Sequence, residues 1–237
     1  MGAIHLVRKL EAFAPLMPHD AAAIVSLAES RISQCDAGED IISEGEDPKT
    51  IYLVLEGWAC RYKTLEDGRR QLLALFIPGD LCDLHVYILS KMDHSIAAIT
   101  PLKIARIAPG ELAELADKHP RVMRALWWES LVTAAIQREW LVSACQRSAI
   151  ESLAHLCCEV YMRLQLVGLA ERGACAFPLT QANIADALGL TQPHVSRVVR
   201  ELAATGTATL HRRRLTVHDR AGLQQLAGFN PNYLHYR

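Results

Sequence analysis

No two of the seven cysteines are spaced as a C-x-x-C pair, no apolar run approaches the length of a membrane-spanning helix, and the net charge is only −1 over 237 residues. Each absence removes a class of protein. An odd, scattered set at Cys35, Cys60, Cys82, Cys145, Cys157, Cys158 and Cys175 argues against a disulfide framework, so most of these thiols read as small apolar core residues. The opening stretch MGAIHLVRKLEAF lacks the apolar centre of a signal peptide, and cytoplasmic residence is expected. There is no G-x-S-x-G, P-loop, G-x-G-x-x-G or H-E-x-x-H, and no spacing places a nucleophile beside a base, so enzymatic activity is not expected. Internal repeats and low-complexity tracts are missing too. A composition that is 51% hydrophobic then leaves one large or two modest folded domains rather than a disordered chain.

The near-neutral total hides an asymmetry. Through residue 170 there are 17 basic and 22 acidic residues, whereas from 171 onward there are 8 basic and 4 acidic. An acidic body joined to a basic C-terminal module is the pattern expected when only the latter meets phosphate.

Within that module, QANIADALGLTQPHVSRVVREL at 181–202 fits two short helices across a tight turn. Ile184, Leu190, Val195 and Val198 supply the contacts between them, Ala185 allows close approach, and Gly189 suits a left-handed turn. Gln192, His194, Ser196, Arg197 and Arg200 then share the exposed side, at the start of a helix that would enter a major groove. Arg212, Arg213 and Arg214 follow in a β-like context over 207–217, which reads as a wing on the phosphate backbone, and a short helix is expected near 221–226.

Upstream, residues 32–107 alternate short β-like runs with turn signals, and Gly45, Gly57, Gly68 and Gly79 mark corners of an antiparallel barrel or roll. A short helix after Pro109-Gly110 precedes His119-Pro120, from which a stretch without Gly or Pro runs to about Gln146. This is a long helix with apolar residues on several faces. Val122, Leu126, Thr133, Ile136 and Trp140 recur at three- and four-residue steps and are read as a homodimer seam, with Trp127 and Trp128 as bulky packing at the barrel junction. Ser148, with Glu151 three residues later, forms a capping box that starts the next helix over 149–166, and the hinge is placed there.

The order of roll, long helix, hinge, helix-turn-helix and wing resembles the Crp/Fnr family of bacterial transcription regulators over essentially the whole chain. The motifs that carry the likeness are GEDIISEGED, YLVLEGWACRYK, LEDGRRQLLALFIPGDLCD and LTQANIADALGLTQPHVSRVV. The resemblance implies an α+β fold in three parts: a cyclic-nucleotide-binding-like antiparallel β-roll over 1–118, a dimerisation helix over 119–147 and a winged helix-turn-helix over 148–237. It implies a homodimer on a two-fold symmetric operator in double-stranded DNA, with RNA polymerase as a further partner and no membrane. Carried over by position, Gln192, Ser196 and Arg197 are expected base contacts, with His194 added from its place on the exposed face, while Thr180, Arg200, Arg212, Arg213 and Arg214 are expected phosphate contacts. Pro193 stands where many relatives carry glutamate, so their operator does not transfer.

Effector recognition departs from the family as well. Cyclic-AMP-binding relatives present a glycine-glutamate pair and an arginine-serine pair, whereas this chain has Asp83-Leu84 and His94-Ser95. Loss of the arginine removes the bidentate partner of a cyclic phosphate, so the pocket residues Asp83, His85, His94 and Ser95 are expected to serve another effector or none. No resident cofactor is assigned. Cys82, His85 and His94 offer a thiol and two imidazoles that would suit haem or a metal, but a buried cysteine beside satisfied histidines is the commoner arrangement. His155, Cys158 and Glu159, on one helix face, read as a helix core edge, and the absence of closely spaced N-terminal cysteines excludes an iron–sulfur cluster of the family's kind. The competing functional reading is a ligand-binding signalling module whose C-terminal helices contact proteins rather than DNA.

Overall fold

The computed structural model describes residues 2–84 and 88–236, in two compact units: Met1–Thr133 with Tyr236–Arg237, and Ala134–His235. Two helices that the strand pattern did not announce open the first unit, α1 (Ala3–Glu11) and α2 (Pro18–Glu29). In α1, Ala3, Leu6, Val7 and Leu10 are buried at helical spacing, which explains why so short a segment holds its place.

The roll follows as two four-stranded antiparallel sheets. One runs β1 (Ile32–Cys35), β8 (Leu102–Ile107), β3 (Ile51–Glu56), β6 (Leu81–Cys82); the other runs β2 (Asp40–Ile42), β7 (Ser95–Ala98), β4 (Ala59–Thr64), β5 (Arg70–Phe76). Val54, Ala59, Phe76, Cys82, Ile96 and Ile104 meet between the sheets in one apolar cluster. A short helix, α3 (Pro109–Lys118), leads to α4 (Pro120–Cys145), a helix of 26 residues as the Gly- and Pro-free run implies.

In the second unit, Ser148 caps α5 (Ala149–Leu166), the Glu151 carboxylate accepting from the Ser148 amide and hydroxyl, each at 2.7 Å. The face carrying His155, Cys158 and Glu159 is buried, in agreement with a core edge. Two short strands, β9 (Ala170–Glu171) and β10 (Ala174–Ala176), extend the wing hairpin of β11 (Ala208–His211) and β12 (Arg214–Val217) into a four-stranded sheet ordered β11-β12-β10-β9. At two and three residues, they are too short to leave a period. The helix-turn-helix is α6 (Gln181–Leu188) and α7 (Gln192–Ala204); the wing is β11 (Ala208–His211) and β12 (Arg214–Val217), closed by α8 (Arg220–Ala227) and a 3-10 turn at Pro231–Leu234.

Candidate functional site

The turn between α6 and α7 is built on Gly189, which closes α6 in the left-handed conformation at φ +66°. Ile184 and Ala185 of α6 and Val195 and Val198 of α7 are buried, as the sequence pattern expects; Leu202 joins them, whereas Leu190 in the turn is only half-buried. The opposite side of α7 faces solvent. Gln192, Pro193, Arg197 and Arg200 are exposed there, while His194 and Ser196 are half-buried. Ser196 is held: its hydroxyl donates to the Gln181 side-chain oxygen at 2.7 Å, and the Arg200 Nε donates to the Ser196 carbonyl at 3.2 Å. Gln181, not singled out in the sequence, therefore positions the middle of the recognition face, and only its place at the start of α6 hinted at this.

Thr180 is exposed, but its side chain is already engaged as the N-cap of α6. Its hydroxyl donates to the Asn183 oxygen at 2.8 Å and accepts from the Asn183 amide at 3.1 Å. At the wing tip Arg212 and Arg213 both have positive φ, +48° and +59°, between the paired His211 and Arg214. Two successive left-handed residues define the tight hairpin turn that matches strand twist, normally built from Asn and Gly. The Arg213 carbonyl is pinned by the Phe177 amide at 2.9 Å, and the side chains of Arg212, Arg213 and Arg214 are exposed.

In the roll, Asp83 takes the left-handed conformation at φ +55°, a region glycine adopts without strain. Its carboxylate is satisfied from within the chain. One oxygen pairs with the guanidinium of Arg61 on β4, and the other meets His94 Nε2 at 2.8 Å; His94 Nδ1 in turn meets Asp93 at 2.6 Å. Burial, reinforced by the Arg61 charge, lowers the His94 pKa, whereas the His94 hydrogen bond lowers that of Asp93. Ser95 is buried, its hydroxyl accepting from the Glu44 amide at 2.9 Å. Asp83 and His94 meet directly, Ser95 is engaged separately by the Glu44 amide, and His85 lies outside the described residues. Arg61 is the member that sequence reasoning missed: it hides in the alternation of β4, its side chain turned inward. Cys82 is buried within the apolar cluster and its thiol pKa is pushed far up by desolvation, which is poor ground for a thiolate ligand.

The long helix corrects the predicted seam. Val122 and Leu126 are buried at 0% and 3% exposure by the chain itself, and the Trp140 indole N–H donates to Glu159 of α5 at 3.2 Å. Thr133 and Ile136 are half-buried. The exposed apolar residues are instead Trp127 at 56%, Leu131 at 63%, Leu141 at 65% and Val142 at 42%. Trp127 is therefore not junction packing, although Trp128 is, edge-on to Phe13 at 6.0 Å. A helix with two apolar faces does not reveal in one dimension which of them its own chain covers.

Two family models match the chain, the cyclic nucleotide-binding domain over residues 32–119 and the Crp-like helix-turn-helix domain over 153–226. The transcriptional activator protein FnrL of Cereibacter sphaeroides is 31% identical over 81% of this chain and 78% of its own length. The chain belongs to the Crp/Fnr family. The nitrogen fixation regulation protein FixK of Bradyrhizobium diazoefficiens is 29% identical over 81% of this chain and 79% of its own. The structure of FixK2 from Bradyrhizobium japonicum superposes with a TM-score of 0.74 at 26% identity, covering 84% of this chain and 98% of that one. A Crp/Fnr-type transcription regulator with a helix-turn-helix DNA-binding domain follows from these likenesses, and its relatives are regulators rather than enzymes. Among the described residues, no helix of this family member is long and apolar enough to cross a membrane.

Proposed function

We propose that this Crp/Fnr protein is a non-enzymatic, sequence-specific regulator that acts as a homodimer on a two-fold symmetric operator, and that its roll answers a signal other than cyclic AMP or holds a constitutive state. The observation that carries the reading is the polar face of α7: Gln192, Arg197 and Arg200 point to solvent while Val195, Val198 and Leu202 are spent on holding the helix. Arg197 reads a guanine with two hydrogen bonds, Gln192, His194 and Ser196 complete the base contacts, and Thr180, Arg200 and the three wing arginines grip phosphate. Dimerisation by the exposed stripe Trp127, Leu131, Leu141 and Val142 sets two such faces one helical turn of DNA apart, with motion at Ser148 adjusting their separation. The internal pairing of Asp83 with Arg61 and His94 supports the effector part, because a cyclic phosphate would have to displace a carboxylate already held by the Arg61 guanidinium.

Operators selected from genomic fragments, titrated by fluorescence anisotropy, test this. Affinity should fall steeply with added salt as counterions compete for phosphate. Arg197→Ala should cost about 1–3 kcal/mol on the operator and relax discrimination at one base pair, whereas Arg213→Ala should weaken operator and random DNA alike. Equal losses on both DNAs for Arg197→Ala would remove its base-reading role, and affinity insensitive to salt would favour a protein-contacting module.

A further inference from the structure

Away from both the roll pocket and the DNA face, the described residues contain one cluster with the donor set of a metal centre. Asp20 is the third residue of α2 and is buried; its Oδ2 accepts from the Met17 amide at 2.9 Å. Its Oδ1 faces two imidazoles, His119 Nδ1 at 2.7 Å and His19 Nε2 at 3.4 Å, and the rings lie 5.6 Å apart. One ligand atom from each residue lies within 4.8 Å of the others. No lysine or arginine among the described residues pairs with this buried carboxylate, so the two imidazoles are its only side-chain partners there. The His19 side chain is 69% exposed while that of His119 is 16% exposed, which leaves one side open for an ion and its water.

We propose that His19, Asp20 and His119 form a site for a divalent transition-metal ion, with two imidazole nitrogens, one carboxylate oxygen and a fourth position for water. With metal–ligand bonds of about 2.0–2.1 Å, the ligands of a tetrahedral ion stand about 3.3 Å apart. The His19–Asp20 separation of 3.4 Å already matches, and the His119–Asp20 contact lengthens as the ion replaces the shared proton. Imidazole with carboxylate suits zinc, cobalt or nickel better than calcium or magnesium, which prefer all-oxygen shells. The position gives the ion leverage. The His119 amide closes α3 on Leu115 at 2.9 Å, and its carbonyl accepts from Val122 at 2.9 Å, the first bond of α4. An ion at His119 ties the start of the long helix to α2, so metal occupancy biases the element whose pairing sets the spacing of the DNA-binding faces.

The experiment is titration of chelator-stripped full-length protein with Co²⁺, followed by displacement with Zn²⁺. We expect one equivalent per chain with the visible bands of a four-coordinate cobalt ion, no thiolate-to-cobalt charge transfer, and displacement by Zn²⁺. Because His19 is exposed, His19→Ala should keep the fold, and it and His119→Ala should each weaken cobalt binding at least about tenfold. Sub-stoichiometric binding at micromolar cobalt, thiolate charge transfer, or an unchanged affinity in His19→Ala would each overturn the site. Retained operator binding in these variants leaves the regulator reading untouched, so the two proposals fail separately.

Discussion

At Gly57 the chain turns from β3 into β4 with φ at +86°, and a Cβ there would run into the carbonyl oxygen of Pro101. Gly68, at the tip of the β4–β5 hairpin, has nearly the same φ, +85°, but open space around the missing Cβ. The two glycines look alike in sequence, both at turns, and differ only in what lies across from them. Replacing Gly68 by Ala should therefore cost only the left-handed backbone penalty of about 1–2 kcal/mol, whereas Gly57→Ala adds a collision with backbone and should cost clearly more. Parallel denaturant melts of the two variants check this, and equal losses would show that backbone strain alone matters. Arg61 and Asp83 teach the same lesson. An arginine in a strand is ordinarily solvated, and nothing local says that this one meets a carboxylate 22 residues away in the fold of the roll.

Among the elements, α5 carries the chain's strongest sequence signal for a helix start, Ser148 with Glu151, and the structure places it there to the residue. Its buried content was less legible. His155 packs against the rings of Phe229 and Tyr233, at 5.0 and 5.8 Å, and burial, with the Arg147 charge adding, lowers its pKa to about 4. The unfolded imidazole titrates near 6.5, so between about pH 6.5 and 4 the unfolded chain binds the extra proton. Stability from this group is full above pH 6.5 and is lost as the pH falls toward 4, by up to about 3 kcal/mol. Comparing urea midpoints of the wild type and His155→Gln from pH 7 to 4 tests the assignment; the wild type should show the steeper fall. If the two profiles stay parallel, His155 is not the group that titrates.

For the whole molecule, the proposed homodimer rests on the surface that α4 leaves uncovered. Leu131 and Leu141, both well exposed, sit ten residues apart on the side of the helix opposite Val122 and Val132, so their replacement leaves the chain's own core intact. Leu131→Asp combined with Leu141→Asp should yield a folded monomer by analytical ultracentrifugation and circular dichroism. Operator affinity should then drop by about a hundredfold or more, because the second half-site no longer binds as an intramolecular event. A double variant that remains dimeric would move the interface elsewhere.

Periodicity, turn residues and caps, all read within a few neighbours along the chain, were enough to place the roll strands, the 26-residue helix, the capped α5, the helix-turn-helix and the wing, since backbone hydrogen bonding and burial of one face are local constraints. Tertiary structure alone decided which face of α4 the chain keeps for itself, which charge answers Asp83, and that His19, Asp20 and His119 share one corner. Those outcomes depend on contacts across tens of residues, where side-chain reach and desolvation, not sequence spacing, choose the partner.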